Sequence, residues 1–380
     1  MTSAVPALTD GVVTLRGHRE DDVEAVLEQS TDPVSVRWTR VPVPYTREDA
    51  RRFVREAMPG GWATDQEWAF AIEAADPAGV PRYAGTVSLR DEGPGRAEIA
   101  YGAHPWARGK GLVERALRLL LEWGFAPVGS GGRGLETVVW WAEEGNWASR
   151  KVAWRLGFSC EGTVRRWLPE RDGLVDGWIG TLSVDEQRLP RNPWFEVPRI
   201  VGDRVVLRRH RDEDAPRVLE ACTDERTAYW LGLLPQPYTR EDAEQFLRTR
   251  SDPMARGTAL HWVLADPDDD RLLGSVSLMG IGSHSGAEVG YWAHPDARGR
   301  GAMTEAVRMA VRHAFIDVED GGLGLDKVRL VSAVDNTASL RVAETNGFRR
   351  VGLERAGTVC RDGRHDVVIL DLLPEDLRLS

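Results

Sequence analysis

The sequence repeats itself, and no other feature limits its fold as much. Pro44-Tyr45-Thr46-Arg47-Glu48-Asp49-Ala50 returns verbatim as Pro237-Tyr238-Thr239-Arg240-Glu241-Asp242-Ala243, an offset of 193. Gly85-Thr86-Val87-Ser88-Leu89 returns as Gly274-Ser275-Val276-Ser277-Leu278, and His104-Pro105-Trp106-Ala107-Arg108-Gly109-Lys110-Gly111 as His294-Pro295-Asp296-Ala297-Arg298-Gly299-Arg300-Gly301. An offset of 190 carries Asn146, Ser149, Gly157 and Phe158 onto Asn336, Ser339, Gly347 and Phe348, and Arg171-Asp172-Gly173 onto Arg361-Asp362-Gly363. A period this long is a duplicated domain, not a stack of short repeats. Two domains also suit 380 residues, a length beyond which one core seldom keeps growing. The expected boundaries are a first domain over 1–186, a linker over 187–199 and a second domain over 200–380. The linker carries three prolines, and Trp194 and Phe195 are expected to tack it onto a domain surface.

Each copy alternates strand and helix signals. Val12 to Arg16 reads as a strand, Glu20 to Gln29 and Thr46 to Glu56 as helices, the second opened by a Thr cap. Apolar strands follow at Trp68–Ala74, Tyr83–Leu89 and Ala97–Ala103. After the Arg108-Gly109-Lys110-Gly111 loop, Leu112, Ala116, Leu117, Leu120, Trp123 and Phe125 recur with a helical period. Thr137 to Trp141 is a strand, Asn146 starts a helix that Gly157 stops, and two strands joined at Arg171-Asp172-Gly173 complete the copy. The expected fold class is mixed α/β, a mostly antiparallel twisted sheet flanked by helices, built twice.

Composition excludes several function classes. A net charge of −10 gives little basic surface for nucleic acid, and no apolar run reaches the length of a membrane span. The opening residues show no export or transit signal, so the expected compartment is the cytoplasm. Cys160, Cys222 and Cys360 lack metal-ligand spacing and an even count, so no metal and no disulfide is expected. Gly129 to Gly134 fits the spacing G-x-G-x-x-G, but it follows a helix and precedes a strand, the reverse of a dinucleotide turn. It reads as a flexible loop. The Arg108 to Gly111 loop lies the right way round. Strand, glycines and helix N-terminus together offer unpaired N–H groups to an anion, with Arg108 and Lys110 adding charge.

These motifs together resemble the GNAT acetyltransferase superfamily, nearest to its ribosomal-protein N-terminal acetyltransferase branch. The coenzyme loop of that family matches Arg108, Gly109, Lys110, Gly111, Leu112 and Val113, and again Arg298, Gly299, Arg300, Gly301, Ala302 and Met303. Its Asn-x-x-Ser helix ending in Gly-Phe matches Asn146 to Phe158 and Asn336 to Phe348. The resemblance implies acetyl-CoA, or another short acyl-CoA, as co-substrate at the two loops, with Asn146 and Asn336 beside it, and an amine as acceptor. Val113 and Met303 depart from the small residue usual at the loop's sixth position. Ala153 and Ala343 stand where many members carry a catalytic Tyr. The resemblance then points to Ser149 and Ser339 for a hydrogen bond to the departing sulfur, although Asn and Ser at this place also cap helices. Glu98 and Glu288, on the strands that lead to the loops, are candidates to take the amine proton through water, or else members of salt bridges. The implied activity is transfer of an acyl group to a primary amine of a protein N-terminus or a small molecule. The alternative is that one or both domains bind acyl-CoA without turnover, as sensors or scaffolds. Monomer and homodimer both stay open.

The chain holds 15 tryptophans, and Trp140, Trp141, Trp147, Trp154, Trp167 and Trp178 crowd the first copy. Most belong in a core. Trp141 and Trp147 are the two expected to face an acceptor or the pantetheine arm, and Ala333 and Thr337 are their expected counterparts in the second copy. The two sites should therefore differ in acceptor.

Overall fold

The computed structural model describes residues 5–171, 173–283 and 286–377; Asp172, the middle of one expected turn, lies outside them. The chain divides into two compact units, Met1–Arg191 and Asn192–Ser380. Residues 187–199 are shared between them. Arg191 donates to the Gly157 carbonyl at 2.9 Å, whereas Phe195 N–H bonds the Met254 carbonyl at 3.0 Å and its ring packs on the second core.

In the first unit the strands are β1 (Leu8–Thr9), β2 (Val13–Arg16), β3 (Glu67–Ala75), β4 (Pro81–Asp91), β5 (Arg96–Ala103), β6 (Thr137–Glu143), β7 (Ser159–Glu170) and β8 (Gly173–Ser183). The helices are α1 (Val23–Thr31), α2 (Pro33–Trp38), α3 (Arg47–Arg52), α4 (Met58–Thr64), α5 (Leu112–Phe125) and α6 (Trp147–Arg155). The second unit repeats this with β9 (Ile200–Val201), β10 (Val206–Arg208), β11 (Ala259–Ala265), β12 (Leu272–Ser283), β13 (Gly286–Ala293), β14 (Val328–Ala333), β15 (Arg349–Cys360) and β16 (Gly363–Leu372). Its helices are α7 (Ala215–Thr223), α8 (Glu225–Trp230), α9 (Arg240–Thr249), α10 (Ser251–Ala255), α11 (Ala302–Phe315) and α12 (Thr337–Thr345). Among the described residues each unit forms one eight-stranded sheet, ordered β1-β2-β3-β4-β5-β6-β8-β7 in the first. Every pairing is antiparallel except β5 with β6, and β13 with β14.

Helices cover both faces. On one, α5 buries Leu112, Ala116, Leu117, Leu120, Leu121 and Phe125 against Phe70, Ile72, Leu89 and Trp140. Each such side chain contributes roughly 1.5–3 kcal/mol. On the other, α1 and α3 set Val23, Val26 and Ala50 over Ala71 and Tyr83. Thr46 caps α3 as its sequence suggests, in a box with Asp49, and the helix then widens into a π-turn over Phe53–Ala57. The sequence reading contains no counterpart of α2. Asp32 caps it, accepting from the Val34 and Ser35 N–H groups, and Pro33 fixes its first turn. The Gly129–Gly134 stretch differs from the flexible loop expected. A 3₁₀ turn, Val128–Ser130, is followed by backbone bonds from Gly134 to Ala126 and from Leu135 to Gly124. The second unit keeps Gly321, Gly322 and Gly324 but has Glu319 first, so the dinucleotide spacing is incidental to the turn.

Candidate active site

The one parallel pairing of each sheet is incomplete. In the first unit the register runs from Arg96↔Thr137 to Ile99↔Trp140 and then stops, while β5 continues to Ala103 and β6 to Glu143. In the second unit it ends already at Glu288↔Arg329. The strand ends beyond those points diverge and leave a gap in the middle of the sheet.

The glycine loops lie at that gap. Gly109, Gly111, Gly299 and Gly301 have φ between +71° and +76°, which a side chain rarely adopts. This conformation turns β5 into α5, and β13 into α11, with the first-turn N–H groups unpaired and facing outward. Leu112 and Ala302 bury their side chains, leaving only backbone to a ligand. Val113 packs on the core below, so its bulk does not crowd the loop; Met303 packs on the second core and also lines the cavity described below. Lys110 extends over the Trp106 ring at 4.9 Å. The guanidinium of Arg108 is already engaged, 2.6 Å from Asp32 and 2.9 Å from the Ser35 hydroxyl. Arg298 pairs in the same way with Asp224 and, at 2.7 Å, with Thr227. Both carboxyls are held below the usual range, first of all by these hydrogen bonds. The loop arginines therefore pin α2 and α8 to the loop more than they offer free charge.

In the second unit the gap opens into a cavity of about 730 Å³. Its lining includes Gly299, Gly301 and Met303 of the loop, Tyr291, Asn336 and Ser339, and Trp230, Leu231, Thr358 and Cys360. No carboxylate is among the lining residues, whereas Arg226, Arg298 and Arg341 are.

Asn146 and Asn336 cap their helices, accepting from the Ser149 and Ser339 N–H groups at 3.1 and 3.2 Å. Capping accounts for the position of each Asn. The serine hydroxyls do something further. Ser149 Oγ lies 2.9 Å from the Tyr101 hydroxyl, and Ser339 Oγ lies 3.1 Å from that of Tyr291. Burial pushes both tyrosines up to about 12, so both stay protonated. In the first unit the Trp140 indole also donates, at 3.0 Å to Tyr101 and 3.1 Å to Ser149. The sequence reading left these tyrosines unassigned; the identical 48-residue spacing from Tyr to Ser in both copies was the available signal.

Glu98 is three residues before Tyr101 and so points to the opposite face. It lies in the paired part of β5, 3.6 Å from Arg90, whose Nε in turn bonds Glu67 at 3.1 Å. Burial pushes its carboxyl up, opposed by Arg90. Glu288 sits at the last rung between β13 and β14 and is absent from the cavity lining. Trp140 and Trp178 are core residues, as most tryptophans were expected to be. Trp141 stacks on the exposed Trp167 with centroids 6.0 Å apart, and Trp147 lies 4.6 Å from Trp178. The register opposite Ile179 and Ile369 makes Val331, not Ala333, the counterpart of Trp141.

The sequence profile of the acetyltransferase (GNAT) domain matches residues 13–159 and again 204–349. The chain belongs to the GNAT acetyltransferase family. YjcK of Bacillus subtilis, named a probable N-acetyltransferase, is 30% identical over 141 residues, covering 37% of this chain and 75% of its own. YdaF of the same organism, whose name provisionally assigns it as a ribosomal N-acetyltransferase, is 29% identical over 181 residues, 46% of this chain and 94% of its own. The solved ribosomal-protein-S5-alanine acetyltransferase of Vibrio fischeri is 18% identical with a TM-score of 0.42, covering 48% of this chain and 99% of its own. The GNAT match and the two sheets agree with the resemblance and the fold class expected from sequence. Among the described residues no helix is long and apolar enough to cross a membrane.

Proposed function

We propose that this GNAT protein transfers an acetyl or similar short acyl group from acyl-CoA to a primary amine, with one coenzyme site in each unit. The domains of this reading span 1–186 and 200–380, and its compartment is the cytoplasm, where acyl-CoA is available. The observation that carries it is the cavity of the second unit, continuous from the glycine loop through the sheet gap to Trp230 and Cys360. An anionic pyrophosphate suits the N–H groups of Gly109–Val113 and Gly299–Met303, and an extended thioester arm suits the gap beyond. Ser339, which lines the cavity, and Ser149 at the same place in the first unit are the donors to the sulfur as the C–S bond breaks. Glu98, its carboxyl raised by burial, is the base of the first site, acting through water.

The amine must be neutral to attack. An α-amino group, with a reference pKa of about 7.7–8.0, meets that need more easily than a lysine at about 10.4. The name of YdaF, which assigns it a ribosomal acceptor, supports a protein amine, here the N-terminus; a small primary amine is the other acceptor of this reading. A second reading, in which the second unit binds acyl-CoA without turnover, is favoured by the absence of a carboxylate from the lining of its cavity.

Calorimetric titration with acetyl-CoA tests the proposal, using the wild type, Gly111→Trp and Gly301→Trp. Two sites, each abolished by its own substitution, are expected. No binding overturns the proposal; binding at both sites with thiol release from only the first, on addition of amines, selects the second reading for the second unit.

A further inference from the structure

The Tyr–Ser pair is common to both units, yet its surroundings differ in one hydrogen-bond donor. Trp140 is 1% exposed and its indole N–H points at two oxygens, the Tyr101 and Ser149 hydroxyls. Leu330 takes its place in the second unit, opposite Leu370 as Trp140 is opposite Gly180. The protons can be assigned. The Ser149 carbonyl only accepts, so the contact with Tyr101 at 3.0 Å commits the tyrosine proton to it. The indole proton is shared between the Tyr101 and Ser149 oxygens. What remains is the proton of Ser149.

We propose that Trp140 is a positioning residue of the first site: by donating to Tyr101 and Ser149 it leaves the Ser149 proton free to bond the sulfur of the departing thiol, a setting the second site lacks. This rests on the reading of both units as acyl-CoA sites. In the second unit Leu330 stands in the place of the indole and has no hydrogen to donate, so the Tyr291 oxygen has a lone pair open to the Ser339 proton, and a sulfur must compete with it. In the first unit the indole competes for that oxygen, and its donation to Ser149 also makes the serine a stronger donor. No proton leaves Ser149. As the C–S bond breaks its electron pair goes to sulfur, the new C–N bond forms, and the proton that ends on sulfur is the one lost by the amine.

The probe is CoA itself, whose bound thiol titrates visibly by thiolate absorbance. Gly301→Trp leaves the first site alone to be read. In that background Trp140→Phe is expected to raise the thiol midpoint by about half to one pH unit, the worth of one ordinary hydrogen bond. CoA affinity should change less than about threefold, since the indole touches the serine and tyrosine rather than the coenzyme. Tyr101→Phe removes the oxygen that competes for the Ser149 proton and leaves the indole to Ser149 alone, so it should move the midpoint the opposite way, downward, and it decides the matter if Trp140→Phe fails to fold. Ser149→Ala sets the upper limit. Midpoints unmoved in the folded variants, with CoA still bound one to one, overturn the role of Trp140 and spare the acyl-CoA reading. Failure of the wild-type chain to bind CoA at either site overturns both.

Discussion

The two units share a backbone plan and differ in what stands around the gap. Loop glycines, capping Asn, Ser and its Tyr, and the Asp that pins the loop arginine occur in both. Around them the first unit places Trp140, Trp141, Trp147 and Trp178 where the second has Leu330, Val331, Thr337 and Val368. Backbone geometry and its fastenings are retained because the loop has one conformation that works. The side chains packed around them are under no such constraint, so that is where the units part.

The largest expected effect probes that aromatic filling. Trp140→Leu should cost the first unit about 3 kcal/mol in urea unfolding, through lost burial and the loss of the indole hydrogen bond. A loss under about 1 kcal/mol would mean the indole fills no space that leucine, as in the second unit, cannot.

Acid should separate the units next. Burial holds His261, 2% exposed, at about 4, and its neighbour His210 at about 3; the first unit has His18 at about 4. A histidine whose folded pKa lies below 6.5 stabilises fully above 6.5 and loses that contribution as pH falls toward the folded value. The rate is about 1.4 kcal/mol per pH unit, hence roughly 2 kcal/mol for His261 between pH 6.5 and 5. His18 and His210 stand at matching positions of the two units and offset one another, so His261 makes the difference. Hydrogen exchange in β11 should accelerate on acidification more than in β3, and equal acceleration would contradict the asymmetry.

Asp32→Ala and Asp224→Ala test what the units share. Each removes a helix cap and the partner of a loop arginine, so each should cost its own unit about 1–2 kcal/mol. A difference larger than that between the two variants would show that the loops are fastened differently. The smallest effect is at Arg204, exposed, which donates to the Arg300 carbonyl at 3.0 Å and lies over Gly301, where the first unit has Val12 and open space. Arg204→Leu should weaken acetyl-CoA at the second site by up to about fivefold, an effect that salt erases, and leave the first site unchanged.

Much of this was legible in the residues. Periodicity placed α5, the glycines marked its start, and Asn146 with Gly157 marked both ends of α6. The Tyr–Ser contact was not, because it joins a strand to a helix 48 residues later and no local rule connects them. Neither was the engagement of Arg108, since its partner caps α2, a six-residue helix too short to show a period. Glu98 was legible as a strand residue, but which face it took depended on the register with Arg90. Trp141 and Val331 could be matched only once the strands were aligned.

The broken parallel ladder carries a mechanical consequence. Among the described residues each sheet is in effect two slabs, β1–β5 and β6–β8 in the first unit, paired to one another at four rungs there and at two in the second. A guest with amide groups along an extended chain, as the pantetheine arm has, would act as a missing seam between them. Loading the site would then stiffen the unit across the sheet, and the second unit, with fewer rungs of its own, would stiffen more.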